Sequence, residues 1–327
     1  MSDFHCEVVR VRDVVKHPDA DTLSIGSANG NPVIFRTGEY NEGDLAAYVP
    51  VDAIVPFNDR FAFLGKNLRI KAKRLRGVFS MGLLTKSEPE WEEGQDVREA
   101  LGITKYEPYD DSGAGVARAP GVPDPNNDAA PSVPIPVYDL ESLRKYKRLL
   151  VPGEEVVLTE KLHGESARYY MDPERGLMAS SRRFWKKPDS GCAWRTWANA
   201  NAEKLAHIPP GVCLFGELYG NTDLKYGATA SERGFRAFDV FDTATQRFFD
   251  YDTARELCEA LGIGTVPVLY RGQWDESLMS LAEGESTIGK HVREGFVVQP
   301  VCDRIAPHFG RVKLKLVGES YLTRKEA

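Results

Sequence analysis

The chain has 327 residues, of which 42% are hydrophobic and 28% charged, with a formal net charge of −6. That length accommodates about two domains with cores of their own, and no run approaches the roughly twenty apolar residues a membrane helix needs. The opening MSDFHCEVVRVRD is too polar for a secretory leader, and five scattered cysteines without a CxxC pair read as reduced, buried thiols. A soluble protein of the cytoplasm or another intracellular compartment is expected, without a membrane partner.

In chain order, residues 6–15, 32–38, 44–55, 67–75 and 80–84 are short apolar runs separated by Pro, Gly, Asn and Asp. They predict strands of a small barrel. Residues 66–76 hold six basic side chains and no acidic one, so the negative mean charge hides a local basic surface. Within it Arg69, Lys71 and Lys73 alternate, and on a strand they would share one face. The HPDAD stretch at 17–21 reads as a turn rather than as metal ligands.

Residues 104–136 are rich in Pro, Gly, Asp, Asn and Ala without apolar periodicity, the composition of a linker. It divides the chain into units at 1–103 and 137–327. The second unit predicts strands at 154–162, 166–172, 176–183, 212–219, 235–242, 247–251, 294–300 and 311–317. Helices are expected at 194–206 and 252–261, with a shorter one at 277–281. Strands outnumber helices without alternating with them, so the fold class is α+β.

Charged or aromatic residues recur at the ends of these strands: Glu160, Lys161 and His163 in TEKLHGE, Glu217 in FGELYG, Phe238 in FRAFDV, Glu294 in EGFVV, and Lys313 and Lys315 in KLKLV. One lysine before a glycine is a weak signal, but the ordered set is specific. It resembles the motifs of covalent nucleotidyltransferases, and KLHG with its preceding glutamate resembles the version found in RNA ligases.

The resemblance implies a nucleotidyltransferase domain of packed antiparallel sheets with helices, in which Lys161 attacks ATP to form lysyl-AMP. That attack needs an uncharged amine, whereas a free lysine has a pKa of about 10.4. Lys313 and Lys315, two apart on one strand, are expected to face the α-phosphate together and to depress the pKa of Lys161. Glu217 and Glu294 suit ribose hydroxyls or a hydrated Mg²⁺ or Mn²⁺. By the same resemblance Phe238 stacks on adenine and Glu160 accepts from its amino group. Arg182 or its neighbour Arg183 contacts the nucleotide or the 5′-phosphate. Ser166 stands where some RNA ligases carry asparagine, a departure that leaves the handling of the 5′-phosphate open. The near-match to a Walker A loop at 284–291 lacks the metal-binding hydroxyl, a preceding strand and a following helix, and is rejected.

The first 85 residues, with VVRVRDVVKHPDADTLSI, GDLAAYVP and LRGVFSMGLL, resemble the tRNA-binding OB modules of aminoacyl-tRNA synthetases. An OB-like β-barrel with Arg69, Lys71 and Lys73 on one face can follow a phosphate backbone. An OB module preceding a ligase core, with only a short tail after Lys315, resembles the Deinococcus-type family of nick-sealing RNA ligases. The implied partner is a nicked duplex whose 3′-OH strand ends in RNA, bound by a monomer. Two rivals are a GTP-using capping enzyme and a non-catalytic OB protein that binds nucleic acid.

Overall fold

The structure is a computed structural model that describes residues 4–106, 124–220, 224, 226 and 233–324. Strands β1 (Glu7–Arg10), β2 (Arg12–Lys16), β3 (Leu23–Ala28), β4 (Asn31–Arg36), β5 (Leu45–Val49), β6 (Ala53–Ile54), β7 (Lys73–Leu75), β8 (Val78–Ser80), β9 (Leu83–Lys86) and β10 (Thr104–Lys105) build the first unit. They pair as β1–β5–β9, β2–β3–β4, β7–β8 and β10–β6, every pair antiparallel. Val8, Ala47, Val49, Phe61 and Ile103 fill one end of its interior, and Val11, Val33, Phe35 and Tyr48 the other.

The expected strand over 67–75 shrinks to β7. Arg69 makes only an isolated bridge to Ile54, so the alternation that would put Arg69, Lys71 and Lys73 on one strand face does not form. Strand β3 went unpredicted because LSIGSA is small and polar, yet its alternate residues are buried. The HPDAD stretch is a turn, closed by a bond from the Asp19 amide to His17 Nδ1 at 3.0 Å.

The second unit opens with β11 (Glu141–Ser142) and α1 (Leu143–Tyr146). It continues through β12 (Glu155–Lys161), β13 (Glu165–Asp172), β14 (Gly176–Ser180), β15 (Trp185–Lys186), α2 (Ala193–Ala200), α3 (Ala202–Leu205), β16 (Val212–Tyr219), β17 (Gly234–Asp242), β18 (Arg247–Phe248) and α4 (Tyr251–Ala260). After β19 (Val268–Gln273) come β20 (Gly295–Pro300), β21 (Ile305–Ala306), β22 (Gly310–Arg311), β23 (Leu314–Val317) and α5 (Glu319–Leu322). One sheet runs β11–β23–β20–β12–β19, antiparallel except for β11 against β23; the other runs β15–β14–β13–β16–β17–β18. The expected helix over 194–206 is interrupted at Asn201, and the strand expected at 247–251 stops at Phe248 because Tyr251 starts α4. Strand β19 escaped prediction as a half-exposed edge without an apolar run.

Strand alternation gives the second sheet two apolar faces. Tyr169 and Leu214 pack against α2 and α4, while Tyr170, Cys213 and Phe215 face the other way. That other face is covered by Val133, Ile135 and Tyr138, so the end of the expected linker is a packed layer of the second unit. At its start, β10 belongs to the barrel; residues 107–123 of the expected linker lie outside the described residues.

The two units touch. Lys145 of α1 reaches Glu7 at 2.5 Å, and Glu319 of α5 takes Arg74 at 3.3 Å and Arg144 at 3.7 Å. Gly30, at φ +73°, lies so close that a Cβ would sit 2.2 Å from the Arg144 carbonyl oxygen. Cys6, Cys192, Cys213 and Cys258 are buried and free as expected, whereas Cys302 is exposed. Among the described residues no helix is long and apolar enough to cross a membrane.

Candidate active site

A cavity of about 300 Å³ opens between the two sheets of the second unit. Strand β12 supplies Glu160 and Lys161, β13 Ser166, β16 Glu217, β17 Phe238 and β20 Val297, while Lys313 and Lys315 come from β23 and its entry. Residues more than 150 positions apart, Lys161 and Lys315 among them, converge on this cavity.

Lys161 Nζ lies 2.8 Å from Glu294 Oε1. Burial by itself would lower the pKa of Lys161, but the charges of Glu294 and Glu217 outweigh it and hold the amine above its ordinary value. This corrects the expectation that Lys313 and Lys315 depress it: the nearest charges are carboxylates, not cations. The cation that yields is Lys315, lowered by burial and then by the charge of Lys161. Burial also pushes Lys313 down to about 8, even though its Nζ sits 2.9 Å from Asp239 Oδ2 and 3.0 Å from the Phe238 carbonyl oxygen.

Glu217 is pushed up to about 8 by burial, helped by repulsion from Glu294 and opposed by Lys161. It accepts a bond from the backbone of Gly164. A Cβ on Gly164 would lie 2.5 Å from the Leu218 carbonyl oxygen and 3.0 Å from Glu217 Cγ, which is why the KLHG turn ends in glycine. Glu294 is likewise followed by a required glycine, since a Cβ on Gly295 (φ +151°) would lie 2.0 Å from the Leu316 carbonyl oxygen.

Among the described residues no group of three or more His, Cys, Asp or Glu side chains could hold a metal ion. The carboxylates of Glu217 and Glu294 nevertheless fit a hydrated divalent cation that takes its remaining ligands from water and phosphate. Glu294 Oε2 is buried and accepts no hydrogen bond, the kind of oxygen such an ion would satisfy.

Phe238 is the extra residue of a bulge: Phe215 pairs with Asp239 and Gly216 with Ala237, which leaves Phe238 unpaired at the cavity wall. A bulge re-aims a side chain in this way beside many active sites. Tyr138 packs against the Phe238 ring at 4.7 Å and donates its hydroxyl to Asp239 at 2.7 Å, while Arg311 pairs with Asp239. Glu160 lines the cavity, but its Oε2 receives Thr287 twice, from N at 2.8 Å and from Oγ1 at 2.5 Å. Thr287 belongs to the rejected Walker-like stretch, which leads from a 3₁₀ turn toward β20. Arg182, not Arg183, lines the cavity, aimed by Asp139 at 2.7 Å.

Sequence reasoning missed Tyr138, Asp139, Asp239, Thr287 and Tyr321, whose hydroxyl lies 2.8 Å from His163 Nδ1. Asp239 alone left a signal, a charge inside the buried run FRAFDVFD. Of the basic residues of the first unit, Arg69 is committed, bonding Asp52 Oδ1 at 2.7 Å and stacking 3.6 Å over Tyr106. Lys71 and Lys73 are exposed.

The sequence profile of the RNA ligase family matches residues 154–317, and an OB-fold domain profile matches residues 6–86. No curated protein sequence matches the chain. The fold is similar to solved structures of Naegleria gruberi RNA ligase. One holds PPi and is 22% identical, with a TM-score of 0.79 and 98% of each chain covered. A glutamate-to-alanine variant with AMP and Mn gives 22%, 0.80 and 98% of each chain. A lysine-to-alanine variant with ATP and Mn gives 21%, 0.79 and 97% of each. An N-terminal OB-fold region followed by a ligase-type domain of antiparallel sheets with helices is thus the architecture.

Proposed function

This chain belongs to the RNA ligase family, and from that premise we propose that it is an ATP-dependent ligase of the Deinococcus type. It seals 3′-OH/5′-phosphate nicks whose 3′-OH strand ends in ribonucleotides. In the first step the Lys161 nitrogen attacks the α-phosphorus of ATP, forming the N–P bond as pyrophosphate leaves. A 5′-phosphate oxygen then attacks that phosphorus, breaking the N–P bond and giving a 5′-adenylated end. Finally the 3′-OH attacks the end's own phosphorus, making the phosphodiester and releasing AMP.

The observation that carries this reading is the convergence of Lys161, Glu217, Phe238 and Lys315 on one cavity from strands of two sheets. Lys315 and Lys313 neutralise the phosphate oxygens, work that charge positioning alone can do. Asp239 fixes Lys313, Tyr138 props the Phe238 ring, and adenine stacks on Phe238. Glu160, held by Thr287, accepts from the adenine amino group, and Arg182 contacts the nucleotide or the 5′-phosphate. Glu217 and Glu294 would hold Mg²⁺ or Mn²⁺, whose positive charge would offset their hold on Lys161 and stabilise the phosphate oxygens. Lys71 and Lys73 of the N-terminal unit contact the nicked duplex, with Arg69 in support through its stack on Tyr106. The catalytic unit takes in Val133 and Ile135, because they pack on its core.

Incubation with labelled ATP or GTP followed by denaturing electrophoresis tests the reading. Label from ATP on the intact protein and none on Lys161→Ala is expected. Label from GTP would indicate a capping enzyme, and no label from either a non-catalytic binding protein.

A further inference from the structure

The Walker-like stretch at 284–291 holds a residue of the nucleotide cavity. Glu160 is 2% exposed, and its Oε2 takes both the amide of Thr287 at 2.8 Å and the Thr287 hydroxyl at 2.5 Å. Both bonds fall on one oxygen, so the carboxylate keeps Oε1 as an acceptor for another group. Two such bonds also hold the carboxylate in one orientation. The grip is itself preorganised. Glu285 bridges Val292 as an antiparallel pair, and the Ser286 amide donates to the His291 carbonyl oxygen at 2.9 Å, which closes residues 287–290 into a tight tip. Arg293 ties the base of this hairpin, donating to the Leu281 carbonyl oxygen at 2.7 Å and to that of Glu285 at 2.9 Å. Ile288, beside Thr287, packs on a cluster that includes Leu162 and Val266, both of which line the cavity.

We propose that Thr287 is a specificity-determining residue: by fixing Glu160 it sets the preference for adenine over guanine in the nucleotide that Lys161 takes up. This deepens the ligase reading and rests on it for the contact between Glu160 and the adenine amino group. At that position of the purine ring adenine offers an N6 amino donor, whereas guanine offers an O6 acceptor. A carboxylate, which only accepts, pairs with the first and repels the second. Guanine also carries donors at N1 and N2 close by, and a carboxylate free to swing would follow them. A fixed carboxylate does not, so the hold on Oε2 turns a simple acceptor into a selective one. The penalty for the wrong base is large, because a buried acceptor facing another acceptor loses its partner without regaining water. Any residue but proline at 287 would supply the amide bond; the hydroxyl is what threonine adds. Thr287 thus acts through Glu160, as a positioning residue.

The test compares full-length wild type, Thr287→Val and Thr287→Ser with ATP, GTP and purine riboside triphosphate, which is ATP without its 6-amino group. Binding is measured by titration calorimetry without divalent metal, and lysyl-nucleotide formation by single-turnover labelling with it. Thr287→Val keeps the amide bond and loses the hydroxyl. Its preference for ATP over GTP is expected to fall about 10- to 100-fold, the range for a hydrogen bond to a charged group. The loss should lie in KM for ATP more than in the rate at saturation, and Thr287→Ser should restore the wild-type preference. With purine riboside triphosphate, which offers Glu160 no amino group, wild type and Thr287→Val should perform alike. Each comparison is a ratio within one protein, so partial misfolding of a variant cancels. An unchanged ATP-to-GTP ratio in Thr287→Val would overturn the proposal. So would an equal loss with ATP and with purine riboside triphosphate, the mark of a general structural defect. A wild type that binds purine riboside triphosphate as tightly as ATP would remove the Glu160 contact and the proposal with it. Failure of the wild type to form lysyl-AMP would sink the ligase reading instead, and the binding ratios would still judge Thr287.

Discussion

At the scale of single residues, the proposed chemistry turns on a lysine that Glu294 and Glu217 hold above its ordinary pKa. Below a raised pKa, the neutral fraction of Lys161 grows about tenfold per pH unit. Lysyl-AMP formation is accordingly expected to climb with pH from about 6 to 8; a flat profile in a quench-flow assay would mean the amine is already neutral. Lys315→Ala should slow adenylation by about 10²–10³-fold, the usual cost of removing one aimed electrostatic partner, while leaving the fold intact. Normal adenylation by that variant would remove Lys315 from the mechanism. Glu217 makes a sharper claim, because its burial sets function against stability. With a folded pKa of about 8 against an ordinary 4.5, the native state holds an extra proton between those values. Stability contributed by this group is present at low pH and lost as pH rises through that window, by at most about 1.4 kcal/mol per unit. Glu217→Gln should therefore raise Tm in the ligand-free protein, and by more at pH 9 than at pH 6, while adenylation collapses. Equal Tm gains at both pH values would contradict the buried-carboxylate account.

At the scale of elements, two backbone devices aim the site. One is the bulge that turns Phe238 to the cavity wall. The other is the tight turn between β12 and β13, where Gly164 lies under Leu218 and Glu217. A methyl there overlaps backbone that cannot retreat without moving β16. Gly164→Ala should cost about 1–3 kcal/mol of stability, as overpacking does, and should depress adenylation more than the stability loss explains. Calorimetry alongside single-turnover adenylation separates the two, and full activity in a correctly folded Gly164→Ala protein would show that the turn tolerates displacement. The ordered motif set was legible in the sequence because each motif is a local strand with its own alternation. The bulge was not, because it is defined by a register between β16 and β17 that neither strand carries alone. Arg69 shows the same limit in the first unit: its spacing promised a shared face with Lys71 and Lys73, but Asp52 and Tyr106, distant in sequence, claimed it.

At the scale of the whole molecule, the catalytic unit cannot be cut where composition changes. Val133, Ile135 and Tyr138 cover the apolar face around Tyr170, Cys213 and Phe215. A fragment starting at 124 should therefore be soluble and form lysyl-AMP, while one starting at 137 should bind hydrophobic dye and aggregate. Equal behaviour of the two by light scattering would show that this layer is dispensable. The fragment from 124 lacks the OB-fold unit and should seal a pre-adenylated nick far less well than it forms lysyl-AMP; full sealing would end the clamp assignment for that unit. By itself the sequence determined the α+β class, the barrel-then-ligase order and the chain order of the charged motifs, since strand alternation, turn residues and motif spacing are local properties. Only the tertiary structure decided that Glu294 stands 2.8 Å from Lys161 Nζ, that Asp239 holds Lys313 and that residues 71–74 come beside Arg324. Those depend on which charges stand within a few ångströms across sheets and between units, a proximity that chain order does not encode.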